Sequence, residues 1–245
     1  MKSAFFLALL AFGGPVFATE SSYGYPSVVP HLVDGDGWKT IITLVNLDDT
    51  AASFTLKFYA EDGTPAIFPT NVGTAATLTG TIVSRGAMTI ETLGTATALK
   101  QGWILVNTPS LIGGTAIFRR VLPGQPNYEA SEAIDTGQWS RVAMPFDHLN
   151  GAATGFAIVN QINVSSGPIS IVFRDENGQP LLTDSFTLVP LGHYAITLTQ
   201  KYPQLIGKRG TFEITASGVY INVLALHFLN GSFTTITPLR SWIWQ

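Results

Sequence analysis

Apolar and polar residues alternate along much of the chain with a period of two. Phe54, Leu56 and Phe58 alternate with Thr55, Lys57 and Tyr59. Ile169, Ile171 and Phe173 alternate with Ser170, Val172 and Arg174, and Met88 and Ile90 with Thr89 and Glu91. Successive side chains of a strand point to opposite faces, so this is the pattern of half-buried β-strands. Abundant β-branched residues, Thr above all, suit a pleated surface. Turn signals punctuate the runs at Leu47-Asp48-Asp49, Glu61-Asp62-Gly63, Ser84-Arg85-Gly86, Pro109-Ser110 and Glu176-Asn177-Gly178. Short strands so spaced predict a sandwich or barrel. No stretch carries a helical period; residues 99–102 and 200–205 are expected to form single turns at most.

The pattern occurs twice. Ile42-Thr43-Leu44-Val45-Asn46 matches Phe156-Ala157-Ile158-Val159-Asn160. Phe54 to Phe58 matches Ile169 to Phe173, and Ala60-Glu61-Asp62-Gly63-Thr64-Pro65 matches Asp175-Glu176-Asn177-Gly178-Gln179-Pro180. Gly86 to Ile90, Gly102 to Val106 and Ala116-Ile117 match Gly192 to Ile196, Gly210 to Ile214 and Ala225-Leu226, in the same order. The first copy is longer between Pro65 and Gly86, where a surface loop is expected. The fold class predicted is all-β: two tandem Ig-like antiparallel β-sandwich domains from an internal duplication, residues 19–140 and 141–245, each of about seven or eight strands. The segment from Leu122 to Asn127 reads as a loop. Residues 128–134 are a closing strand, with residues 233–237 as counterpart. An outer-membrane barrel is a lesser alternative reading of the alternation.

The alignment also separates two faces. Ile104 and Val106 fall on Phe212 and Ile214, the shared core face. Trp103 and Leu105 then point outward, where the second copy has Thr211 and Glu213. An outward Trp-Leu pair in one copy predicts a contact face, against the other copy or another subunit. The short join at residues 138–141 also predicts packed units.

The N-terminus, MKSAFFLALLAFGGPVFATE, has Lys2, an apolar run from Ala4 to Phe12, helix breakers, and a small residue at Ala18. It reads as a secretory signal peptide over residues 1–18, too short to span a bilayer, which needs ~20 apolar residues. The destination expected is secreted or cell-surface, with no stable membrane span after cleavage. Thirteen basic and sixteen acidic residues give a net charge of −3. That balance argues against nucleic-acid binding, which needs a basic stripe. With no cysteine, disulfides, thiolate metal sites and a cysteine nucleophile are excluded.

Candidate chemistry is sparse. Glu61-Asp62 and Asp175-Glu176 precede glycine at equivalent places, which favours turns over a catalytic carboxylate pair. Asp34-Gly35-Asp36-Gly37 opens like a calcium loop, making Asp34 and Asp36 candidate ligands, but no downstream acid follows and a Gly-Asp turn fits better. His31, His148, His193 and His227 lack metal spacing and read as surface or structural residues. No nucleophile elbow or phosphate loop occurs, so no catalytic residues and no cofactors are expected. Aromatic residues carry more weight. Tyr23, Tyr25, Trp38, Trp139, Trp242 and Trp244 lie near termini or strand edges; with Trp103, the five tryptophans are the ligand or interface candidates. The C-terminal Trp242-Ile243-Trp244 is suited to docking or strand addition.

Trp38-Lys39-Thr40 leading to Leu44-Val45-Asn46, then Phe58-Tyr59-Ala60-Glu61-Asp62-Gly63-Thr64-Pro65, then Gly114-Thr115-Ala116-Ile117-Phe118-Arg119, resembles uncharacterised secreted bacterial proteins with tandem Ig-like β-sandwich repeats. The resemblance covers most of the chain after residue 18, rests on structural motifs, and implies export and a surface or extracellular role without site residues. The function expected is therefore non-enzymatic: cell-surface adhesion, binding or extracellular assembly. The alternative is a carbohydrate-binding module, or an accessory protein or enzyme acting on extracellular glycans. The partners expected are other protein subunits, copies of the same chain included, or a surface polysaccharide.

Overall fold

The computed structural model describes residues 26–108, 111–134, 137 and 139–241. The signal segment, Tyr23, Tyr25, Trp242 and Trp244 lie outside them. The first half contributes β1 (Ser27–Asp34), β2 (Trp38–Asn46), β3 (Ala52–Tyr59), β4 (Phe68–Thr70), β5 (Gly73–Ala75), β6 (Thr77–Ile82), β7 (Ala87–Glu91), β8 (Lys100–Asn107), β9 (Ile112–Arg120) and β10 (Tyr128–Ala133). The second half contributes β11 (Arg141–Asp147), β12 (Ala153–Asn160), β13 (Ile169–Asp175), β14 (Pro180–Phe186), β15 (His193–Thr197), the single-turn helix α1 (Leu198–Lys201), a 3₁₀ turn (Pro203–Leu205), β16 (Arg209–Thr215), β17 (Ile221–Leu229), β18 (Ser232–Ile236) and β19 (Leu239–Ser241).

The protein is all-β, and its sheets are antiparallel. In the first half the orders are β1-β8-β3-β6 and β10-β9-β2-β7. In the second they are β14-β13-β16-β11-β19 and β15-β12-β17-β18. Among the described residues no sheet closes on itself, which overturns the barrel alternative. No helix among them is long and apolar enough to cross a membrane. Residues 99–102 do not form a helical turn, because β8 starts at Lys100 and pairs there with Asp34 of β1.

Each half buries its own core between its two large sheets. The first joins Phe54, Leu56, Phe58, Ile104 and Val106 to Ile42, Leu44, Ile90 and Phe118. The second joins Met144, Phe146, Ile171, Phe173, Phe212 and Ile214 to Phe156, Ile158 and Val223. The extra residues after Pro65 form the hairpin β4–β5 rather than a plain loop. They insert Phe68, fully buried, within 5.9 Å of the Phe58 ring. The two Glu/Asp pairs are turns: Gly63 and Gly178 both have positive φ, and Asp62 and Asp175 accept hydrogen bonds from backbone N–H groups of the turns themselves.

One buried asparagine organises each half. Asn46 Nδ2 donates to the carbonyls of Thr50 (2.7 Å) and Val83 (3.1 Å), and its Oδ1 accepts from Asp48 N. Asn160 Nδ2 donates to Val164 (2.6 Å) and Val189 (3.0 Å), and its Oδ1 accepts from Ile162 N. A buried amide so saturated ties together two loops that have no sheet partners.

Candidate functional site

The two halves meet through the outer faces of β1 and β8 and of β12 and β17. In β12, Phe156 and Ile158 enter the second core while Ala157 and Val159 face the first half. In β17, Val223 and Ala225 point inward while Leu224 and Leu226 face across. Burial on both faces explains why Phe156 to Asn160 and Ile221 to Leu226 read as nearly continuous apolar runs. Trp103 is fully buried in this interface with Val28, Tyr59 and Val159. Its ring stacks 4.8 Å from Tyr59, and its Nε1 donates to the Leu191 carbonyl at 2.8 Å. Glu61 O accepts from His193 N at 2.9 Å. Gly63 packs so closely that a Cβ there would lie 2.0 Å from Pro190 O.

A histidine pair lies in the same seam. His31 occupies the bulge of β1 between Val29 and Leu32, and its Nδ1 is 3.1 Å from His193 Nε2 with the rings stacked at 5.3 Å. One proton lies between two neutral rings. Burial holds the His31 imidazole down to about 4, and burial together with His31 keeps His193 well below the usual histidine range. His193 is therefore buried rather than outward on a free surface. The pair was hidden in the sequence because 162 residues separate its members.

Beside the seam opens a cleft of about 700 Å³, lined by both halves. That lies within the ~300–1,000 Å³ of small-molecule sites. Its apolar wall includes Trp38, Phe118, Leu224, Leu226 and Phe228, and His31 reaches it from the seam. Trp38 lies 5.0 Å from the Phe233 ring of the other half. The Arg120 guanidinium sits over Trp38, 5.3 Å from the ring centroid, a cation–π contact. Among the described residues Arg120 Nε has no hydrogen-bond acceptor, while the side chain as a whole is half-buried. Asp36 and Lys201 stand exposed at the rim.

Of the remaining described candidates, Asp36 lines the cleft at its rim, and Trp139 and Asp34 lie elsewhere. Trp139 bridges to Ile221 and packs against the second core. Asp34 is buried and accepts the Gly94 N–H at 2.7 Å. Asp36 and Gly37, both at positive φ, make the two-residue turn between β1 and β2. Among the described residues no group of three His, Cys, Asp or Glu side chains gathers to hold a metal ion. Arg120 was not singled out from sequence; the basic Arg119-Arg120 end of β9, in register with Trp38, is the one signal that pointed to it. No protein-family model and no curated protein matches the chain.

Proposed function

We propose that the chain is an exported, non-enzymatic binding protein of the cell surface or extracellular space. It comprises two tandem Ig-like β-sandwiches, residues 19–140 and 141–245, descended from one duplicated unit, and it holds its ligand in the cleft between them. The observation that carries this reading is the cleft itself: it is concave, of small-molecule size, and lined by aromatic and aliphatic side chains together with polar groups in comparable measure. The parallel strand orders and the matching Asn46 and Asn160 clamps support duplication. Asp36 is the one carboxylate among the lining residues, whereas a glycosidase of the common kind needs two facing carboxyls.

The test is thermal unfolding of the native chain and of Ala195→Trp, which fills the cleft, in the presence of oligosaccharides, peptides and amphiphiles. A ligand at ~100 times its Kd adds about 2.7 kcal/mol, a shift of several degrees. The expected result is such a shift in the native chain and none in Ala195→Trp. Turnover of any panel member, abolished by a single cleft substitution, overturns the non-enzymatic reading. Recovery of the native protein from the cytoplasm in cell fractionation overturns export.

A further inference from the structure

Within that reading of the cleft as a binding site, we infer that it selects a carboxylate-bearing amphiphile, with the carboxylate on Arg120 and the apolar body along Leu226 and Phe228. Arg120 ends β9 opposite Trp38, and stacking on that indole holds the guanidinium plane at the cleft wall. Arg85, Arg119, Arg141 and Arg209 each meet a carboxylate of the protein. Arg120 meets none among the described residues, and its Nε is buried without an acceptor. The other two charges of the lining, Asp36 and Lys201, are exposed, of opposite sign and offset one another. Among the described residues, the charge of the cleft left without a carboxylate is therefore a planar cation beside apolar side chains.

A guanidinium fork matches a carboxylate through two parallel N–H···O bonds, stronger where water is thinned by neighbouring rings. A neutral ligand leaves Arg120 without a counter-ion. A cationic one faces the like charge of Arg120. Apolar contact on one side and a single anionic partner on the other describe an amphiphile rather than a free inorganic anion.

Isothermal titration of the full chain with decanoate, decanol and decyltrimethylammonium tests this. The expected result is decanoate binding at least tenfold tighter than decanol, with decyltrimethylammonium weakest. Arg120→Gln removes the preference, bringing decanoate to the affinity that the same variant has for decanol; Arg120→Lys restores part of it. Leu226→Trp weakens decanoate and decanol alike. Equal affinities for decanoate and decanol in the native chain, both lost in Leu226→Trp, overturn the carboxylate assignment and leave the cleft as a binding site. Binding of decanoate unaffected by both Arg120 variants also overturns it. Binding of neither amphiphile, with another panel member shifting the native chain but not Ala195→Trp, overturns it as well; no shift from any panel member sinks the cleft reading itself.

Discussion

The strands β8 and β16 carry the same inner face and opposite outer ones. Ile104 and Val106 on β8, and Phe212 and Ile214 on β16, fill their cores almost without exposure. On the outer side β8 presents Trp103 and Leu105 to the other half, whereas β16 presents exposed Thr211, and Glu213 paired with Arg141. Core positions tolerate only apolar replacements of similar volume. Outer positions are free to diverge until something covers them. The inner face specifies the sandwich; the outer face decides whether it stands in water or becomes a joint.

The most severe way to break this comparison is Trp103→Ala. It removes a fully buried indole, its stacking on Tyr59 and its hydrogen bond to Leu191, and is expected to cost about 3–5 kcal/mol. Thr211→Ala, at the matching place, is expected to change stability by under ~0.5 kcal/mol. Denaturant unfolding of both variants reads the contrast, and equal losses would contradict it.

Acid attacks the same joint. His31 titrates near 6.5 in the unfolded chain and near 4 in the folded one, so below 6.5 the unfolded state binds the proton first. Stability is fully present above about pH 6.5 and is lost as pH falls towards 4, by roughly 3 kcal/mol for His31 alone. His193, shifted the same way, adds to the loss. The His31→Phe variant is expected to flatten the slope of unfolding free energy between pH 6.5 and 4. An unchanged slope would remove the pair from the account.

Asn46→Ala and Asn160→Ala sharpen the likeness instead. The first leaves the carbonyls of Thr50, Ile82 and Val83 unserved and the second those of Val164 and Val189, and each is expected to cost roughly 2 kcal/mol by chemical denaturation. Markedly unequal losses would show that the clamps are not equivalent. Glu213→Gln breaks a partly exposed ion pair and is expected to cost under ~1 kcal/mol, less still in high salt.

What was legible in the sequence followed period and turn chemistry. Alternation placed β3, β7 and β13, and Asp-Gly and Asn-Gly located the turns. The split between Ile104 and Trp103 faces came from aligning the chain with itself. The hairpin β4–β5 was missed because three-residue strands carry almost no periodicity, and Pro69 interrupts the first. The run Phe156 to Asn160 held an unused signal, since apolar residues on both faces of a strand imply cover on both sides. The His31–His193 pair and the cleft depend on how the halves sit together, which no local pattern encodes.

Gly63 and Gly178 begin as the same turn residue, and both need positive φ. Around Gly178 there is open space, while Gly63 abuts the Pro190 carbonyl. The first turn is thus closed to elaboration and the second open to it. An epitope tag or a displayed peptide grafted at Gly178 leaves the joint untouched; the same graft at Gly63 pries the halves apart. For anyone engineering this scaffold for display, the molecule offers one permissive turn where its repeat promises two.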